Sequence, residues 1–225
     1  VTHIIPTTII DNFFDDPYAV RQFGLQFSKE IQIIDIKNNI AYRGKRSDCL
    51  SEIHPHLFNL ISKKFFSSFY DLSSEKIEWV ADIRYQLTDG SFGPGWVHKD
   101  SPALITGIIY LNPGASIESG TSLYQPKNIA CKQLYENIKK DANQNIDLRN
   151  SEYYVKCREE NNSQFVETVR VNNIFNRLVA FDSSVYHCGT NFFGETAESS
   201  RLTIVFFIHK LIVNQTPITR IKIQN

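Results

Sequence analysis

The second half of this chain alternates between strand-like runs and turn signals, and no other feature limits its fold as strongly. After Lys76 the segments KIEWVADIRYQLT, ALITGIIYLN, TSLYQP, NRLVAFDSS and RLTIVFFIHK are rich in β-branched and aromatic residues. Turn signals such as TDGSFGPG and NPGAS lie between them. A series of this kind builds a β-sandwich or barrel.

Upstream, the pattern is mainly helical. HIIPTTIIDNFF reads as a strand, and DDPYAVRQFGLQF then starts a helix, with Asp16 as N-cap and Pro17 at the first helical position. A second helix is expected across SEIHPHLFNLISKKFFSSFY. There Phe58, Ile61, Phe65 and Phe69 recur at helical spacing and mark a core face. His54 and His56, near its start, suit surface or capping roles. Residues 127–170 are a polar excursion with weak periodicity, expected to be a helix and a hairpin inserted between sheet strands. Nothing resembling a repeat or linker divides the chain. The expectation is one domain over 1–225, with mainly helical support over 1–75 and a sheet core over 76–212.

A hydrophobic content of 42% with 21% charged residues fits a soluble globular protein with a substantial core. Lys plus Arg and Asp plus Glu balance at 24 each, so composition gives no argument for membrane affinity. It also argues against dependence on long nucleic acid, because phosphate binding needs a clustered basic surface. Arg43, Lys45 and Arg46 form a local basic group that reads as a solvated loop. Cys49, Cys131, Cys157 and Cys188 are scattered without a CxxC pair, which speaks against structural zinc and a disulfide framework. Free thiols, no signal peptide and no membrane-spanning apolar run lead to a cytoplasmic expectation.

The segment WVHKDSPALITGIIYLN sets His98 and Asp100 at the edge of an apolar run. In an extended chain residues i and i+2 share a face, so Trp96, His98 and Asp100 line one surface and Lys99 turns away. A third ligand should come from another strand, and NRLVAFDSSVYHCGTNF offers His187, with Cys188 on the opposite face. Further on, Arg201 opens the apolar strand RLTIVFFIHK. Two imidazoles and one carboxylate on one octahedral face hold Fe(II) and leave positions for a bidentate 2-oxo acid and dioxygen. The far carboxylate of such a cosubstrate suits a planar, bidentate arginine. Thr203, two residues on, projects to the same strand face. Asp182, Ser183 and Ser184 could suggest a hydrolase triad beside His187, but no GxSxG elbow is present.

This ordered set resembles the Fe(II)/2-oxoglutarate-dependent oxygenase superfamily, particularly its prolyl-hydroxylase-like branch. The resemblance spans roughly residues 79–209 and rests on DIRYQLTDGSFGPGWVHKD, TGIIYLN, SGTSLY, NRLVAFDSSVYHCG and SRLTIVFF. It implies a mainly β chain with flanking helices, folded as a double-stranded β-helix (jelly roll, cupin-like). It implies iron on His98, Asp100 and His187. The distal carboxylate of 2-oxoglutarate would fall to Arg201, aided by Tyr110 and Thr203, with Tyr85 flanking the cosubstrate. The implied reaction is hydroxylation of a C–H bond of a small-molecule or peptidyl substrate by dioxygen, releasing succinate and CO2. Departures are the long loop NFFGETAESS, Ser119-Gly120-Thr121 in place of a Gly-Gly turn, and the 127–170 excursion. Two other readings stand beside it: a non-oxidising metal-binding jelly roll that recognises a ligand, and a cupin-type metal-dependent hydrolase or isomerase.

Overall fold

In chain order the elements are β1 (Thr8–Ile10), α1 (Pro17–Ser28), β2 (Lys45–Arg46), α2 (Leu50–Ile53), α3 (Pro55–Ser67), β3 (Glu78–Thr88) and β4 (Ile105–Tyr110). They continue with β5 (Thr121–Pro126), α4 (Glu136–Gln144), α5 (Glu152–Ser163), β6 (Phe165–Val171), β7 (Leu178–Asp182), β8 (Tyr186–Gly189) and β9 (Arg201–Ile212). The computed structural model describes residues 6–28, 45–73, 76–128, 130, 134–144, 148 and 151–214; His3, Arg43 and Cys131 lie outside them. The strands form two antiparallel sheets, a six-stranded one in the order β1-β7-β4-β9-β3-β2 and a three-stranded one in the order β6-β5-β8. The fold is a mainly β jelly roll with flanking helices.

Alternation along each strand divides the side chains of the large sheet into two layers. Ile83, Tyr85, Ile105, Ile109, Leu178, Ala180, Leu202, Ile204 and Phe206 face outward onto the helices, where they meet Leu25, Leu57, Ile61, Phe65 and Phe69. Ile108, Tyr110, Val179 and Phe181 face inward and pack against Leu123 and Val171 of the small sheet. The close seating of α3 depends on Gly107: a Cβ there would lie 1.9 Å from Cζ of Phe206, whose ring packs 5.1 Å from that of Phe65.

Local chemistry sets the helix limits. The Asp16 carboxylate accepts from Ala19 N–H at 3.0 Å, which caps α1. The helix expected over 51–70 is broken into α2 and α3 at His54. Pro55 disfavours helical geometry in the residue before it, and His54 adopts φ −153°, ψ 70°. Its Nδ1 then accepts from Leu57 N–H at 3.2 Å, so the histidine caps the second segment.

The 127–170 excursion also differs from expectation. Its described residues contain two helices, α4 and α5, and its last segment is β6, which pairs with β5 instead of forming a hairpin of its own. As an edge strand β6 buries only Phe165 and Val171, and its charged middle has a loop-like composition. Among the described residues no helix is long and apolar enough to cross a membrane.

Candidate metal centre

The chain around His98 runs along the free edge of β8. Gly95 N–H donates to Gly189 O at 3.0 Å, His98 N–H to His187 O at 3.0 Å, and His187 N–H to His98 O at 2.8 Å. A Cβ on Gly95 would come within 2.6 Å of that Gly189 oxygen, so the close approach requires glycine. His98 and His187 are thus directly opposed across an antiparallel bridge, and opposed residues project to the same sheet face. Their rings lie 4.5 Å apart, and Phe181 packs 4.7 Å from His187 on the inner face. Asp100 is brought alongside because its N–H donates to Ser183 O at 3.1 Å.

His98, Asp100 and His187 each offer a ligand atom, and these atoms all lie within 4.8 Å of one another. Nε2 of His98 is 3.4 Å from Asp100 Oδ1, and Nε2 of His187 is 3.0 Å from Oδ2. Ligands in adjacent octahedral positions, each about 2.1 Å from a metal, are separated by about 3.0 Å, so the spacing fits a shared cation. Nδ1 of His98 lies 2.7 Å from Trp96 O, and Nδ1 of His187 lies 3.0 Å from Val185 O. A carbonyl only accepts, so each Nδ1 keeps its proton, and in the neutral ring Nε2 carries the lone pair on the side of the carboxylate. A neutral ring facing an anion at such distances is relieved by a proton or a metal cation between them.

Burial, then Lys139 and His187, push His98 down to about 4, so its imidazole is neutral at neutral pH. Burial pushes the Asp100 carboxyl up, but His187 and His98 outweigh it and hold it well below the usual carboxylate range. The carboxylate is also steered: Thr106 Oγ1 donates to Oδ2 at 2.8 Å and lies 3.0 Å from Ser183 Oγ. The sequence reading missed Thr106, although it shares strand parity with Tyr110 in TGIIYLN. Asp182 accepts from Ser184 N–H at 2.8 Å and caps a turn, so Asp182, Ser183 and His187 form no triad.

A cation stands on the same inner face toward the other end of β4. Arg201 is 3% exposed, and its Nε donates to Ser119 O at 3.3 Å. Its guanidinium carbon lies 5.5 Å from the Tyr110 ring centre and 5.4 Å from that of Phe192. No carboxylate pairs with it among the described residues, and burial pushes its guanidinium down. The Tyr110 hydroxyl donates to Thr121 Oγ1 at 2.8 Å. Thr203 is paired with Tyr110 in register and fully buried, on the Arg201 side of β9. Phe192, from the long NFFGETAESS loop, was not legible from any spacing.

Tyr85 is not part of this surface. Strand parity turns it outward under α1, where its hydroxyl donates to Val20 O at 2.7 Å and its ring fills the space left by Gly24. Trp96 is buried against the excursion helices, with Nε1 donating to the Tyr154 hydroxyl at 2.8 Å. Cys188 points away from the ligands and its thiol donates to the Tyr124 hydroxyl at 3.5 Å. Arg46 is not a free loop charge: it donates to Gln86 Oε1 at 2.7 Å.

Solved structures share this architecture. EvdO2 from Micromonospora carbonacea var. aurantiaca matches with a TM-score of 0.53 at 14% identity, over 96% of this chain and 90% of that one. A prolyl hydroxylase from Trichoplax adhaerens, solved with a hypoxia inducible factor oxygen degradation domain peptide fragment, matches with a TM-score of 0.50 at 16% identity. That match covers 90% of this chain and 82% of the hydroxylase. Likeness at such identity concerns the fold. No curated protein matches the chain. A family model does, over residues 94–208, just over half of the sequence and containing His98, Asp100, His187 and Arg201. The chain therefore belongs to DUF6445, a family of unknown function.

Proposed function

We propose that this protein is an Fe(II)- and 2-oxoglutarate-dependent dioxygenase that hydroxylates a C–H bond of a small-molecule or peptidyl substrate. One observation carries the reading: a three-ligand cluster of two histidines and one aspartate shares an inner face with a buried arginine that has no acidic partner among the described residues. The first half of that arrangement suits a metal with open positions. The second half suits the far carboxylate of a 2-oxo acid, because a buried, unpaired guanidinium is costly until an anion reaches it.

His98, Asp100 and His187 would hold the iron, which when bound supplies the activation of dioxygen and the oxidative decarboxylation of 2-oxoglutarate to succinate. The Trp96 and Val185 carbonyls hold a proton on Nδ1 of each histidine, which in the neutral rings leaves Nε2 to the metal. Thr106 orients the Asp100 carboxylate. Arg201 would receive the cosubstrate's distal carboxylate, and the apolar wall of Ile108, Val179 and Phe181 would keep water from the inner face. Thr203 lies on the Arg201 side of β9, where a hydroxyl can share that carboxylate. The whole of 1–225 is read as one catalytic domain. Buried Cys49, Cys157 and Cys188, none of them in a disulfide, suit a reducing, cytoplasmic setting.

The test is succinate formation from 2-oxoglutarate with added Fe(II) and oxygen, followed with panels of amino acids, peptides and small metabolites. Succinate release that is lost in His98→Ala supports the proposal. Iron and 2-oxoglutarate binding without any turnover, coupled or uncoupled, points to a ligand-binding jelly roll. Activity with zinc or manganese that survives Arg201→Ala points to a cupin-type hydrolase or isomerase.

A further inference from the structure

The strand that presents His98 and Asp100 has β8 on one side only. An edge strand in a sheet leaves alternate N–H and C=O groups unpaired on its other side. Here the excursion helix α5 meets that edge with side chains. Asn162 Oδ1 accepts from Val97 N–H at 2.9 Å while its Nδ2 donates to Gly95 O at 2.9 Å. Asn161 Nδ2 donates to Val97 O at 3.1 Å and to Asn162 Oδ1 at 3.0 Å, and Asn161 Oδ1 accepts from Leu134 N–H at 2.8 Å. Asn161 is fully buried. Two neighbouring amides thus do for this edge what a further strand would do.

The residue between the clamped positions is Trp96. Its side chain is anchored on Tyr154 of the same helix, and its carbonyl accepts from His98 Nδ1 at 2.7 Å. That carbonyl decides which His98 nitrogen is bare. Gly95 and Val97, held by the two asparagines, fix the peptide planes on either side of it.

We infer that Asn162, together with Asn161, is a positioning residue for the metal centre: the amide clamp from the 127–170 excursion sets the Trp96 carbonyl and, through it, the orientation and tautomer of His98. The inference rests on the metal reading of His98, Asp100 and His187. It makes the excursion part of the centre's scaffold as well as of its surroundings.

The experiment titrates purified full-length protein with Co(II), following visible absorption, and records histidine ring 15N shifts of the metal-free protein. Outer-shell partners of metal ligands typically contribute about 10- to 100-fold in metal affinity, and Asn162→Ala is expected to weaken Co(II) binding by that order. The same variant should shift the His98 ring toward a mixture of tautomers. Asn162→Asp keeps the acceptor for Val97 N–H and loses the donor to Gly95 O. It is expected to fall between wild type and Ala, and it decides the matter if the Ala variant does not fold.

Asn176→Gly is the control. Asn176 makes an equivalent two-bond clamp on Phe14, at 2.8 Å for both bonds, in a part of the fold remote from the ligands. It should lower the melting temperature and leave Co(II) affinity and the His98 tautomer unchanged. Folded Asn162 variants that bind Co(II) within twofold of wild type, with an unaltered His98 ring signature, would overturn the inference alone. A wild-type protein that binds no Co(II), or binds it equally well after His98→Ala, would overturn the metal reading itself.

Discussion

Replacing Arg201 by methionine separates a functional guanidinium from a structural one, because one role predicts a loss of 2-oxoglutarate affinity and the other a loss of stability. Arg201 is almost wholly buried; its guanidinium donates to Ser119 O and is hydrogen-bonded to Tyr110, and two aromatic rings lie against it. Burying an ion costs several kcal/mol even after relaxation. Against this stand about 1.5–3 kcal/mol for a hydrogen bond to a charged group and roughly 0.5–2 kcal/mol for each ring contact. The terms nearly cancel, so methionine of similar length should leave the ligand-free protein within about 1 kcal/mol of wild type. A member of a buried ion pair would instead cost about 3–5 kcal/mol on removal. Loss of the carboxylate contact should weaken 2-oxoglutarate by a similar 3–5 kcal/mol, more than 100-fold, since about 1.4 kcal/mol is tenfold. Urea unfolding of the ligand-free protein gives the first quantity, and calorimetric titration of 2-oxoglutarate into metal-loaded protein gives the second. A variant that loses more than about 3 kcal/mol of stability and binds 2-oxoglutarate as wild type does would refute the argument.

Two further substitutions test neighbouring claims. Thr106→Val removes the hydroxyl that steers Asp100 while keeping the volume; Co(II) affinity should fall about tenfold, and a titration indistinguishable from wild type would show that the aspartate needs no guide. Tyr85→Phe leaves Val20 O without its partner, so unfolding should report a loss of about 1 kcal/mol. Its 2-oxoglutarate affinity should stay unchanged, and a marked drop there would return Tyr85 to the cosubstrate surface.

The candidate cluster of His98, Asp100 and His187 could be named from sequence because it obeys local rules. His98 and Asp100 share a face through strand parity, and His187 follows an apolar strand that ends in a turn, so each could be named without knowing its neighbours. The shared strand face of Arg201 and Thr203 follows from the same parity. Tyr85 failed because parity tells that alternate residues share a face, not which face looks inward. In β3 the side bearing Ile83, Tyr85 and Leu87 looks to the helices, a choice made by α1 and α3 packing on that side. The same limit hid Phe192, which reaches Arg201 from a loop with no period at all.

The chain's own pattern determined that strands follow helices, that the strands would close into two layers, and which residue types could gather a metal. These are consequences of periodicity and turn chemistry, which act within a few residues. Only the tertiary structure decided that His98 and His187 stand opposite each other, with 88 residues between them, because β8 accepts the HxD segment as a neighbour. It also decided that β6 is a sheet edge and that two asparagines of the excursion substitute for a missing strand. Such contacts depend on which backbone groups are left unpaired once the sheets have formed, and no local stretch of sequence carries that information.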